Sequence, residues 1–246
     1  MIAKKLKSIL FKMYIHAIEK SLFGVKYLHV KKGSPHLLII FSGFNPHNKR
    51  SYNYIRSLQK LNCDKLYVLD SWGYKGSYYW YENGSNSPEI AVTNLLNDIV
   101  KKNGYTHLYT AGTSKGGTAA IYYGLLLGVN SVYAGACQYY IGTYLSKSEH
   151  IAILHAMMGT SNNENIDLLN EKLKSLIKEN ENSRTNINLL YSKDEVERTY
   201  QSDMYYLIRD LKKHNISVFE KNIYFLKHND IGKYFPSFIM DRIHCD

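Results

Sequence analysis

"TAGTSKGGTAA", Thr110 to Ala120, sits between two apolar runs and carries three glycines, a serine and a lysine. Two kinds of loop use such a segment: one cradles phosphate, the other presents a nucleophile. A phosphate-binding P-loop requires G-x-x-x-x-G-K-[ST]. Here Lys115 precedes Gly116 and Gly117, so that order fails. The dinucleotide spacing G-x-G-x-x-G fails as well. What fits is G-x-S-x-G, formed by Gly112, Thr113, Ser114, Lys115 and Gly116. With a strand before it and a small-residue helix after it, this pattern predicts a sharp turn that lifts Ser114 above a sheet. The competing reading is a structural glycine turn whose serine caps a helix.

Outward from this turn, β-rich apolar runs alternate with helical patterns. "VKYLHV" (Val25–Val30) and "HLLIIFSGF" (His36–Phe44) read as strands joined by a turn at "KKGSP". "YNYIRSLQKL" (Tyr52–Leu61) reads as a helix, "KLYVLD" as a strand, and the segment from Pro88 to Gly104 as a helix. "SVYAGA" and "INLLYS" are further strands. Two helical runs fall between these last strands, and a helix over "YQSDMYYLIRDLKKHN" precedes a last strand region, "SVFEKNIYFL". A final helix carries Pro236 near its first turn. Alternation of this kind predicts an α/β fold: an α/β-hydrolase-like, mostly parallel sheet covered by helices on both faces, with a helical insertion at 145–182 before the acid-bearing strand. A single domain over 1–246 is expected.

A nucleophilic serine needs a base, and the base an orienting acid, in the chain order Ser, acid, His. "NINLLYSKDEVE" places Asp194 just after a late strand, with Glu195 and Glu197 as neighbouring substitutes. Asp203 falls inside the next helical pattern. His228 follows the last strand region, and Asp230 beside it is too near along the loop for good triad geometry. The oxyanion hole needs two aimed N–H groups. The backbone of Lys115 supplies one by position; Gly43 and Phe44, in the loop after an early strand, both qualify for the other. Lys115 itself reads either as a contact for an anionic substrate or as a solvated side chain. His47, Lys49 and Arg50 follow the oxyanion loop and line the expected cleft entrance, unless that loop is merely solvated. "SWGYKGSYYWYENG" (Ser71–Gly84) follows a strand's C-terminal end, where α/β proteins bind ligands. Its Trp72, Tyr74 and Trp80 suit stacking on sugar rings, or simply cover core.

The chain has 246 residues, 45% of them apolar, 23 tyrosines and a formal charge of +10. The tyrosines are expected mostly at the core rim, ring in and hydroxyl out. The charge points to a polyanionic partner, and no nucleic-acid motif accompanies it. Three widely spaced cysteines, Cys63, Cys137 and Cys245, argue against a disulfide framework or zinc site and for a reducing compartment. Lys12, His16 and Glu19 interrupt the N-terminal apolar run, so no secretory signal is expected. Residues 1–24 instead read as an amphipathic helix with Ile2, Leu6, Ile9, Leu10, Met13, Ile18 and Leu22 on one face. The expected partner of that face is the protein's own core; an anionic membrane is the other candidate.

"IIFSGFN", "GTSKGGTAA", "YSKDEVE" and "KHND" together resemble the α/β-hydrolase-like proteins of bacterial capsule loci, the polysaccharide O-acetyltransferases among them. The resemblance covers the chain from about Tyr27 onward. It implies acetyl-CoA as donor and a capsular polysaccharide hydroxyl as acceptor, on an N-acetylmannosamine-1-phosphate polymer. It implies Ser114 as nucleophile, Asp194 as orienter and His228 as base, with no metal. It places the protein in the cytoplasm or peripherally on the inner membrane face, beside other capsule-synthesis enzymes. A serine esterase or thioesterase of the same fold, and a non-catalytic assembly protein, are the competing readings.

Overall fold

The computed structural model describes residues 2–44 and 51–245, with backbone only for 2–5, 7 and 8. Its centre is an eight-stranded sheet of order β1-β2-β4-β3-β5-β6-β7-β8. These strands are β1 (Lys20–Leu22), β2 (Val25–Val30), β3 (His36–Phe41), β4 (Asp64–Val68), β5 (His107–Thr113), β6 (Ser131–Gly135), β7 (Asn186–Tyr191) and β8 (Val218–Asn222). From β4 to β8 all neighbours are parallel, while β2 runs antiparallel to both β1 and β4. All six residues of β3 are buried. Leu37, Ile39 and Phe41 join one apolar cluster and Leu38 and Ile40 a second, so the sheet is covered on both faces.

The first cluster takes in α2 (Ser87–Asn103), α3 (Lys115–Leu127), α6 (Asn163–Glu179) and α7 (Tyr205–Lys213). The second takes in α8 (Ile231–Met240) and the inner side of α1 (Ile2–Ile18). Between β6 and β7 lie α4 (Ile141–Leu145), α5 (Ile151–Met158) and α6. The chain passes from β3 to β4 on one side and returns through α2 to β5 on the other. That reversal opens a crevice at the C-terminal ends of β3 and β5, where ligands bind in open α/β sheets.

Four local expectations are corrected. Tyr52–Leu61 forms turns, not a helix. Tyr54 sits at φ 64°, which breaks a right-handed helix, and its hydroxyl bonds Thr113 Oγ1 at 2.8 Å. The N-terminal helix stops at Ile18, and Phe23 and Gly24, both at positive φ, make the two-residue turn of the β1–β2 hairpin. Pro236 lies inside α8 rather than in its first turn. Many tyrosines are interior rather than at the rim: Tyr79 donates to the carbonyl of Val68 (2.9 Å), Tyr123 to that of Tyr79 (2.8 Å) and Tyr139 to Asp210 (2.6 Å).

His29, on β2, meets the Tyr105 hydroxyl at 2.8 Å, and burial with nearby Lys31 pushes its imidazole down to about 4. A depressed histidine favours the fold above its unfolded pKa of about 6.5 and withdraws that support as pH falls towards 4. Denaturation curves between pH 7 and 4 should therefore lose midpoint more steeply in the wild type than in His29→Gln.

Candidate active site

The turn between β5 and α3 has the strain its sequence predicts. Ser114 sits at φ 53°, ψ −129°, a conformation costly for any side-chain-bearing residue. Its N–H donates to the Gly135 carbonyl (2.8 Å), and its carbonyl accepts from Gly117 (2.8 Å) and Thr118 (3.1 Å). The glycines are required by contact. A Cβ on Gly112 would overlap the Gly116 carbonyl, and one on Gly116 would lie 2.5 Å from the Phe41 carbonyl oxygen. Strand and helix meet at that distance only without side chains.

Ser114 Oγ accepts a hydrogen bond from Gln138 Nε2 at 3.2 Å. Gln138 is buried just past β6 and was not anticipated. Its Oε1 accepts from the Tyr78 hydroxyl (3.3 Å), which turns the amide nitrogen towards the serine. Its carbonyl takes the Thr118 hydroxyl (2.7 Å). Asp203, in a π-helical turn Tyr200–Met204, accepts from the N–H groups of Tyr139 (2.7 Å) and Tyr140 (3.0 Å) and fixes the same loop. The sequence signal for Gln138 was its place at a strand's C-terminal end, a place shared with several other residues.

His228 opens a 3-10 turn after β8, and its Nδ1 lies 2.6 Å from Oε1 of Glu195. That carboxylate is buried and also accepts from Thr199 Oγ1 (2.5 Å). The carboxylate facing His228 is therefore Glu195, and the assignment to Asp194 is corrected. Ser192 Oγ accepts the Asp194 N–H (3.1 Å) and the Phe225 N–H (3.2 Å), a turn that leaves Asp194 exposed and points the next side chain inward. Glu197 accepts the His228 backbone N–H (3.2 Å), and Asp230 pairs with Lys233 (2.6 Å). With Nδ1–H held by a carboxylate, His228 Nε2 carries the free lone pair. That atom is buried and has no hydrogen-bond partner among the described residues.

Lys115 overturns both expectations for it. Its side chain is fully buried, and Nζ pairs with Asp70 Oδ2 at 2.7 Å, 4.4 Å from the Tyr79 ring centre. Asp70 also accepts from the N–H groups of Ser77 (2.7 Å) and Tyr79 (3.2 Å). The pair thus ties the elbow helix to the 70–80 loop and is closed to substrate. Lys115→Met leaves a buried carboxylate without its cation, which costs about 3–5 kcal/mol. A thermal melt should drop by about 10 °C, and Asp70→Asn combined with Lys115→Met should recover part of it.

Of the oxyanion candidates, Lys115 N–H lies in the first turn of α3, where the helix supplies no acceptor. The Gly43 N–H is already given to Asn53 Oδ1 (3.0 Å), which removes it as a free donor. Phe44 is left as the candidate for the second donor; its ring is edge-on to Tyr78. Trp72 is half-buried against the first cluster and Tyr74 is exposed, whereas Trp80 has no exposed surface and is core, not a sugar platform. His47, Lys49 and Arg50 lie outside the described residues.

No protein-family model matches the sequence, and a search of curated proteins finds no match. Among solved structures, the chain is similar to the capsule O-acetyltransferase of Neisseria meningitidis serogroup A, in the form of a histidine-to-alanine variant in complex with CoA. The TM-score is 0.79 at 25% identity, covering 92% of this chain and 94% of that one. It is also similar to the glycosylation-associated Gap123 complex of Streptococcus agalactiae, at TM-score 0.66 and 20% identity, over 89% of this chain and 44% of that one. Est1E of Butyrivibrio proteoclasticus matches at TM-score 0.61 and 11% identity, over 91% and 97%. With the strand order, the strained Ser114 turn and the His228–Glu195 pair, these similarities establish an α/β-hydrolase-like fold for this chain.

Proposed function

We propose that this protein is an O-acetyltransferase, moving acetyl from acetyl-CoA to a hydroxyl of a capsular polysaccharide through an acetyl-serine intermediate. The observation that carries the reading is the presence of a strained Ser114 turn and a carboxylate-held His228 in one chain that is similar over nine-tenths of its length to a capsule O-acetyltransferase in complex with CoA. In the first half-reaction His228 Nε2 takes the Ser114 proton as Oγ bonds to the thioester carbon. The Lys115 and Phe44 N–H groups receive the developing oxyanion, the C–S bond breaks, and His228 returns the proton to the thiolate. In the second half, a sugar hydroxyl gives its proton to Nε2 and bonds to the acetyl carbon; the bond to Ser114 Oγ then breaks and Nε2 passes the proton to that oxygen, restoring the serine. Glu195, in place of Asp194, holds the imidazole in the required tautomer. Trp72 and Tyr74, past the end of β4, are the aromatic groups nearest in sequence to a sugar-binding role.

A phosphodiester-linked acceptor such as an N-acetylmannosamine-1-phosphate polymer suits the +10 charge, and Lys115 contributes nothing to its capture. Three buried cysteines, none of them in a disulfide, suit a cytoplasmic setting beside other capsule-synthesis enzymes. The direct test is mass spectrometry of the protein mixed with acetyl-CoA alone. An increment of about 42 Da on the Ser114 peptide is expected. Thiol release that is equally fast without polymer, with the polymer left unacetylated, would replace this reading by a thioesterase.

A further inference from the structure

Helix α1 is apolar on two opposite sides. On one, Phe11, Ile15 and Ile18 are half-buried; Ile15 and Ile18 pack on the second cluster, and the Arg56 guanidinium lies 3.9 Å over the Phe11 ring. On the other, Leu6, Ile9, Leu10, Met13 and Tyr14 are 47–63% exposed. At about 100° per residue, Leu6, Ile9, Leu10 and Met13 fall within one stripe turned away from Ile15. The domain therefore uses one side of the helix and leaves the other bare. Isolated exposed apolar residues are ordinary, but a contiguous patch marks an interaction site.

Charge says which partner fits. The segment Ile2–Ile18 contains Lys4, Lys5, Lys7 and Lys12 and no carboxylate. In helical register the exposed Lys12 flanks the bare stripe. A second copy packed symmetrically on this face would set lysine-rich helices against each other. An anionic lipid surface reverses the sign of that interaction, accepting lysines at the headgroups while the stripe enters the acyl boundary. No helix among the described residues is long and apolar enough to cross a membrane, so α1 would lie in the surface plane.

We propose that α1 docks the protein on an anionic lipid surface through Leu6, Ile9, Leu10 and Met13. The test is flotation of the full chain with vesicles of phosphatidylglycerol and phosphatidylcholine, against phosphatidylcholine alone. Binding to the anionic vesicles is expected to be at least about tenfold tighter, since each lysine near such a surface is worth on the order of fivefold. Leu10→Glu with Met13→Glu should abolish it while leaving the thermal melt unchanged. Should that variant unfold, a dye on Met13→Cys reports directly, with a blue-shifted emission on anionic vesicles expected. The proposal is overturned by three results: no flotation of the wild type at low salt, undiminished flotation of the folded double variant, or no dye shift. A dimer in light scattering that L10E/M13E dissociates, without any vesicle binding, would assign the face to a second copy instead.

Discussion

Ser114→Ala is expected to lower acetyl transfer by at least about 10³-fold, the residue left being what an oxyanion hole and binding supply without a nucleophile. The loss should be chemical rather than structural. The turn is held by backbone bonds to Gly135, Gly117 and Thr118 and by the glycine contacts, none of which involves Oγ. The bond that disappears is the one from Gln138 Nε2, which leaves one buried donor unpaired and costs about 1–3 kcal/mol. The check is a transfer assay beside a thermal melt: a folded, inactive protein that gains no acetyl mass is the expected result. A variant that acetylates polymer at the wild-type rate would remove Ser114 from the chemistry. Unchanged capsule output in cells carrying it would favour the assembly-protein reading.

Glu195→Gln should cost about 10⁴-fold in turnover, as losing the orienting carboxylate does in a serine triad. Two donors, Nδ1–H of His228 and the Thr199 hydroxyl, converge on Oε1 of Glu195, and the amide's NH₂ competes for that place. The imidazole then loses its carboxylate partner, and Nε2 is no longer fixed as the basic atom. Asp194→Asn, at an exposed side chain, should stay within about twofold of wild type. Steady-state kinetics on the two variants decides between adjacent carboxylates. The opposite ranking would mean that the loop rearranges when substrate binds.

The two carboxylates show where the sequence stops being readable. The elbow is legible because its constraint is local: atoms at Gly112 and Gly116 must pass within contact distance, and only one residue type allows it. The order of Ser114 and His228 along the chain is legible because it follows from strand order. Which of Asp194, Glu195 and Glu197 faces inward depends on Ser192 Oγ bonding across to Phe225, 33 residues away. Lys115 fails for the same reason, since its partner Asp70 is 45 residues distant and nothing near the elbow hints at it. Tyr52–Leu61 has helical periodicity, yet the tertiary bond from Tyr54 to Thr113 sets a backbone that periodicity does not foresee. Gln138 had no signature beyond its place at a strand's C-terminal end, because its role comes from Tyr78 turning its amide.

The Lys115–Asp70 pair has a consequence for how the protein answers its surroundings. Counter-ions weaken only those charges they can approach. The exposed lysines meet them freely, so added salt should weaken capture of an anionic chain or surface. The sealed pair beside Ser114 lies beyond their reach, with side chains 0% and 1% exposed. With the proposed anionic acceptor, ionic strength should then separate two quantities otherwise measured together: the apparent affinity is expected to move with salt, and the turnover of acceptor already bound is not.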